Sequence, residues 1–460
     1  MRESRYNTWV RAGDGSWRVH NGVSGELCTL ENDERVAVER WLAGGPIGAG
    51  RQPLLESLIR SFVLVHDDAD EIAMLRARYR RGQHDPTHMG LTVVTSMGCN
   101  FDCPYCFESK SPALLQPEVA EAIRALVRER SDTLGTLDVT WYGGEPLLGL
   151  EQLIELSGDL MGDCAAAGIS YRAMVVTNGW YLDGPTAESL SRVGVAVAQV
   201  GVDGPPAVHD RRRAHVGGKP TFDRIVTNIR AASEHMGISV RTNVDAANVG
   251  RLAEMLDLLV AGGLVGRVGV GLGHVVPVSH NPEAPSSGYA TRCLTPGEYA
   301  RVEVTFAEMA RERGFATAEL PGPVEVPCTA VRANEMIVGA RGEIWKCLDD
   351  AGNEAEQIGT IFDLEHLDSR LARWLGHDPF TDDECLSCVA LPGCMGGCAL
   401  YGATPGLREH RCSSFRRNHR QRVLVASGVG SPPSPDGTGG DLSGEVAVPV
   451  SITPRPVGAL

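Results

Sequence analysis

Residues 91–106 read Leu91-Thr-Val-Val-Thr95-Ser-Met-Gly-Cys99-Asn-Phe-Asp-Cys103-Pro-Tyr-Cys106, a short β-branched apolar run followed at once by three cysteines in eight residues. The run predicts a buried strand, and the cysteines a loop above its end. From here the pattern repeats. Strand-like runs over 91–95, 137–141, 171–177, 196–202, 239–244 and 267–272 alternate with helical periodicity over 117–129, 150–167, 187–193, 221–235, 249–262 and 296–313. Alternation of this kind makes βαβ units, a parallel sheet, and a site at the C-terminal ends of the strands. About six units are present rather than eight, which predicts an α/β fold with a partial (β/α)6 barrel over 86–320.

Residues 1–85 read as a small sheet followed by helices, with alternating runs over 6–11, 17–20 and 26–30 and helical patterns over 33–42, 54–59 and 70–79. Such a sheet has an edge onto which an extended peptide can add by main-chain hydrogen bonds. A plain extension packed on the barrel is the alternative. Over 321–425 regular periodicity fades and cysteines take over, as in a region organised around inorganic clusters. Residues 426–460, rich in Gly, Pro, Ser and Asp, read as a disordered tail.

The 460-residue chain has 58 acidic against 43 basic residues and a formal charge of −15, so it has no long-range attraction for phosphate backbones or anionic lipid. No run approaches the ~20 apolar residues of a membrane span. The start, Met1 to Tyr6, lacks the apolar core of a signal peptide. The expectation is a cytoplasmic protein with no nucleic-acid or membrane partner. Its thirteen cysteines are odd in number and clustered, which favours thiolate ligands over disulfides.

A C-x3-C-x2-C loop can wrap three irons of a [4Fe–4S] cube and leave the fourth open to a small molecule. Structural zinc closes with four ligands in paired spacing, and no fourth Cys or His is near in sequence. The loop Cys99-x3-Cys103-x-Tyr105-Cys106 after a first barrel strand resembles that of radical S-adenosylmethionine (SAM) enzymes. The resemblance implies that Cys99, Cys103 and Cys106 hold a [4Fe–4S] cluster. SAM then chelates the free iron and is cleaved to a 5′-deoxyadenosyl radical that abstracts a substrate hydrogen, with Tyr105 beside the adenine. Gly143-Gly144-Glu145-Pro146 is similar to the family's GGEP motif at the amino group of SAM, where glycines admit close backbone approach and a carboxylate pairs with an ammonium. Thr177 and Asn178 fall near the ribose and methionyl part by the same likeness, with an ordinary Asn-Gly turn as the alternative. Asp203-Gly-Pro-x3-His209-Asp210-x2-Arg213 resembles a stretch of peptide-modifying members, Arg213 or its neighbours offering a fork for a carboxylate, with a solvated basic run of Arg211, Arg212 and Arg213 as the alternative. Arg241 and Asn243 resemble a SAM-contacting stretch.

Downstream, Cys328-x13-Gly342-x4-Cys347, then Cys385-x2-Cys388-x5-Cys394-x3-Cys398, then Cys412, matches the SPASM pattern of radical SAM enzymes that modify peptides. The resemblance implies two auxiliary [4Fe–4S] clusters, making three in all. Cys328, Cys347 and Cys398 would hold the inner one, and Cys385, Cys388, Cys394 and Cys412 the outer one. The inner set lacks a fourth cysteine; Cys293 as a distant ligand or as a buried inert thiol are both open. Asp349 beside Cys347 is comparable to a base in sulfatase-maturing relatives, but reads better as part of an exposed Asp349-Asp350 turn. Residues 1–85 resemble a PqqD-like, winged-helix-like recognition element. Together these features imply a maturase that binds a precursor peptide through its leader, takes electrons from a flavodoxin or ferredoxin, and installs a thioether or carbon–carbon crosslink. A formylglycine-forming sulfatase maturase, a small-molecule dehydrogenase, and a non-catalytic iron–sulfur or zinc peptide-binding regulator are the alternatives.

Overall fold

In the computed structural model, which describes residues 1–48, 50–276, 284–289, 293–317 and 320–428, the N-terminal alternating runs become three antiparallel strands. These are β1 (Asn7–Arg11), β2 (Trp17–Asn21) and β3 (Leu27–Leu30), in that order across the sheet. Helices α1 (Asn32–Leu42), α2 (Gln52–Arg60) and α3 (Glu71–Gln83) follow. Each start is coded locally: Glu31 and Glu34 form a reciprocal capping box on α1, and the Asp70 carboxylate accepts the Ala73 amide at 2.9 Å on α3. The unit closes over Val19, Leu30, Val38 and Leu58.

The barrel begins at β4 (His88–Ser96) and continues through β5 (Thr136–Gly143), β6 (Ser170–Thr177), β7 (Val195–Gly201), β8 (Gly237–Val244) and β9 (Val268–His274). Each strand pairs in parallel with the one before it, so all six C-terminal ends face one side. The crossover helices are amphipathic. Helix α4 (Pro117–Glu129) buries Val119, Ile123, Leu126 and Val127, one stripe at helical spacing, against Leu91, Val139 and Trp141 of the sheet. Each fully buried side chain of this kind stabilises the fold by roughly 1.5–3 kcal/mol. Helix α5 (Leu150–Ala167) does the same work, with Leu153, Leu156 and Leu160 buried.

Three features depart from the sequence expectation. A short helix, Pro206–Arg212, stands where only a motif was read. The cysteine-rich region is not free of sheet: the wholly buried strand β10 (Glu335–Val338) lies parallel beside β4, and β11 (Glu343–Trp345) turns back on it. Finally, the last helix, Phe415–Ala426, overruns the expected boundary at 425 and crosses back over the N-terminal sheet. There Phe415 meets the His20 ring edge-on at 5.7 Å, and Val423 and Leu424 pack on Val10. Most of the expected tail, residues 429–460, lies outside the described residues.

The N-terminal unit is built into the molecule. Tyr6, Leu75 and Tyr79 share a core with Trp374, Phe380 and Leu391 of the cysteine-rich region, and the Tyr79 hydroxyl donates to the His377 carbonyl at 2.6 Å. Strand β3 pairs with β2 alone, so its outer edge has no strand partner among the described residues. No helix among them is long and apolar enough to cross a membrane.

Candidate functional site

The first cysteine loop hangs from the C-terminal end of β4. Phe101, fully buried, anchors it to the barrel core, edge-on to Trp180. The Cys103 carbonyl accepts the Cys106 amide at 3.1 Å, closing the turn. Cys99 Sγ accepts the Phe101 amide at 3.4 Å, with Asn178 Nδ2 at 3.9 Å. Burial pushes all three thiols up, Cys99 to about 12, and each lies within the electrostatic reach of another. Any metal bound here would have to displace protons from these sulfurs. Among the described residues no three Cys, His, Asp or Glu side chains gather about one point as a single ion requires. The ligands of a cube each hold a separate iron, and the loop fits that demand.

Gly143 to Pro146 continue from β5 against this loop. A Cβ on Gly144 would stand 2.5 Å from the Gly98 carbonyl oxygen and 2.9 Å from that of Met97, so the two loops touch because residue 144 has no side chain. The Glu145 carboxylate is fully buried and accepts three donors: the Asn178 amide at 2.7 Å, the Thr177 hydroxyl at 2.7 Å and the Leu147 amide at 3.0 Å. It ties the ends of β5 and β6 together. The Pro146 carbonyl accepts the Thr95 hydroxyl at 2.9 Å, and Asn178 Nδ2 donates to Asn100 at 2.7 Å.

Tyr105 is locked from below. Its hydroxyl donates to Asp203 and accepts from Arg213 at 2.9 Å, while the Asp203 carboxylate also takes the Asn243 amide at 3.1 Å. Arg213 thus braces Tyr105 through NH1. The neighbouring Arg212 pairs with buried Asp245, and Tyr289 donates to the same carboxylate at 2.7 Å. Arg241 differs: Nε donates to Asn243 at 3.1 Å, yet among the described residues no carboxylate pairs with its guanidinium. An uncompensated cation in a barrel calls for an anion.

A small cavity opens beside Tyr105, lined by Asn243, Val275, Val276, Ser286 and Asp349. The Ser286 hydroxyl is buried there without a hydrogen-bond partner among the described residues. Asp349 and Asp350 are 9% and 1% exposed, which overturns the exposed-turn expectation. Burial raises the Asp349 carboxyl to about 6, against the hydrogen bond it accepts from Tyr401 at 3.0 Å. Its place two residues after Cys347 was the signal; its burial depended on Tyr401, fifty residues on.

The seven downstream cysteines fall into two groups. Cys385, Cys388, Cys394 and Cys412 line one cavity. The chain between Cys394 and Cys398 turns through Gly397, at φ +72°, whose missing Cβ would meet the Arg411 carbonyl oxygen at 1.9 Å. Cys347 senses both Cys328 and Cys398, forming the second group beside Asp349. The buried Cys293 thiol faces the Tyr289 carbonyl at 3.9 Å, in the segment over the barrel mouth.

Residues 93–259 match the family model described as "Radical SAM superfamily". The chain is 24% identical over 182 residues to the sporulation killing factor maturation protein SkfB of Bacillus subtilis, covering 39% of this chain and 41% of that protein. It is 28% identical over 143 residues to a cysteine-type anaerobic sulfatase-maturating enzyme of Clostridium perfringens, covering 29% and 38%. It thus spans about two fifths of the length of these curated relatives. The crystal structure of Streptococcus suis SuiB bound to S-adenosylmethionine shares the fold over 90% of this chain and 99% of that one, at 16% identity and a TM-score of 0.51.

Proposed function

Proceeding from the radical SAM domain of residues 93–259, we propose that this chain is a radical SAM/SPASM maturase of a ribosomally made precursor peptide. In this reading Cys99, Cys103 and Cys106 hold the SAM-binding [4Fe–4S] cluster. Cys328, Cys347 and Cys398 hold an inner auxiliary cluster, and Cys385, Cys388, Cys394 and Cys412 an outer one. Bound together, cluster and SAM supply a carbon radical able to remove a hydrogen atom from an unactivated position. The observation that carries the reading is the cavity at the barrel mouth, bounded by Tyr105 on one side and by Asp349 of the cysteine-rich region on the other.

The chain's own residues divide the remaining work. The Gly143–Gly144 backbone and the Tyr105 ring, held rigid by Asp203 and Arg213, form the bed for SAM, and unpaired Arg241 receives its carboxylate. Asn243, Thr177 and Asn178 orient the rest. Forming a thioether or carbon–carbon crosslink from a substrate radical releases one electron, for which the auxiliary clusters would be the acceptor, and one proton, for which Asp349, buried and steadied by Tyr401, would be the base. The free edge of β3 binds the leader by strand addition, and a flavodoxin or ferredoxin supplies the reducing electron.

Asp349 and the sulfatase-maturating relative favour a second reading, oxidation of a Cys or Ser to formylglycine. Anaerobic incubation of the reconstituted chain with candidate peptides, with and without leader, separates the two by mass. Leader-dependent loss of two hydrogens with sequence-specific linkage supports the crosslink. Leader-independent aldehyde formation overturns it.

A further inference from the structure

The two downstream cysteine groups differ in what touches their sulfurs. In the outer group, Arg416 NH1 lies 3.2 Å from Cys412 Sγ and Arg411 NH2 lies 3.7 Å from Cys385 Sγ. Both guanidinium groups are held by carboxylates: Arg411 NH1 donates to Asp382 at 2.6 Å, and Arg416 NH1 to Glu384 at 3.3 Å. Arg411 is 8% exposed, so its charge sits at the site and not in solvent. In the inner group the hydrogen-bond donors are backbone amides, those of Ala330 and Val331 toward Cys328 and of Leu400 and Tyr401 toward Cys398. The flanking charges of that group include Asp349 and, near Cys328, Lys346. No guanidinium bonds to an inner sulfur among the described residues.

Hydrogen bonds and fixed positive charge at the ligating sulfurs stabilise the more negative, reduced state of an iron–sulfur cluster and raise its potential. Arginine keeps its charge at every working pH. We propose that Arg411 and Arg416 hold the outer site at a higher reduction potential than the inner one, so that an electron leaving the barrel runs outward. The inference rests on the reading that both groups hold [4Fe–4S] clusters. The outer cavity fits one: four thiols line it, and two cationic donors aim at two of them.

The test is a potentiometric titration of the reconstituted full-length chain followed by electron paramagnetic resonance. Signals are assigned with Cys412→Ser, which removes an outer ligand. Arg416→Gln and Arg411→Gln are expected to move the outer midpoint to more negative potential while the inner midpoint stays in place, with the largest shift in the double variant. Arg416→Lys, which keeps the cation but loses the planar fork, is expected to fall between wild type and Arg416→Gln; it serves if a Gln variant loses iron. An outer midpoint unmoved in variants with full iron, or lying below the inner one in the wild type, overturns the proposal. A wild-type chain whose iron accounts for the first cluster alone overturns the cluster reading beneath it.

Discussion

The barrel and the cysteine-rich region share a strand pair, β4 with β10, yet rest on different physics. The barrel is finished by its sequence. Strands of seven to nine residues bury apolar side chains on helices whose stripes match them, and even deep carboxylates such as Glu145 and Asp245 have their partners in place. The cysteine-rich region has helices of four or five residues, Asp383–Leu386, Leu391–Cys394 and Ala399–Ala403. Helices so short do not persist alone. Its apolar core is partly borrowed from Tyr6, Leu75 and Tyr79 of the N-terminal unit, and Cys328, Cys347, Cys385 and Cys398 sit in or against it. If those thiols are ligands, as proposed, that core is completed by what they bind. The N-terminal unit, leaning on that core, inherits the dependence.

The largest effect should come from stripping iron. In the apo chain, amide exchange is expected to quicken across 321–428 and through α3, while β4 to β9 keep their protection. Equal loosening of the barrel would break the contrast. Next, Asp349→Asn is expected to lower turnover by about 10²–10⁴-fold, the range for a lost general base, with iron content unchanged; single-turnover kinetics read it, and wild-type turnover would refute the role. Glu145→Ala leaves three buried donors unmet and should cost about 3 kcal/mol whether or not iron is bound, measured by denaturant midpoints of holo and apo chain. A cost confined to the holo form would place the barrel in the same class as its neighbour.

The smallest effect concerns the joint between the N-terminal sheet and the final helix. Burial holds His20 down to about 4, and neither ring nitrogen has a hydrogen-bond partner among the described residues. Its folded value lies below the unfolded ~6.5, so its contribution is complete above that pH and is lost as the pH falls toward 4. Acidifying from 7 to 5 should cost about 2 kcal/mol, and His20→Leu should flatten that slope in urea titrations.

The barrel was legible because period 2 and period 3.6 are written in contiguous residues, such as 171–177 and 117–129. The grouping of the cysteines was legible because their short spacings are local. Less visible was whatever depends on partners far along the chain. Asp349 and Asp350 read as an exposed turn because their cover, Tyr401 and Arg373, lies decades of residues away. That Arg213 braces Tyr105 was not readable, because nothing local reveals that it meets the Tyr105 hydroxyl. Strand β10 was hidden by its four-residue length, and the Pro206–Arg212 helix by its run of His, Asp and Arg. The burial of Glu145 was concealed in the same way: two of its three donors, Thr177 and Asn178, come from the end of the next strand, more than thirty residues on.

The measurement that tests the central claim most directly is anaerobic reconstitution with iron and sulfide, reduction with SAM, and assay of iron, zinc and 5′-deoxyadenosine per chain. The account predicts about twelve irons, a fall of about four in a triple Ser variant of Cys99, Cys103 and Cys106 or in Cys388→Ser, and deoxyadenosine that vanishes with the first loop's cysteines. Tightly bound zinc with no deoxyadenosine would contradict it and leave a peptide-binding metalloprotein.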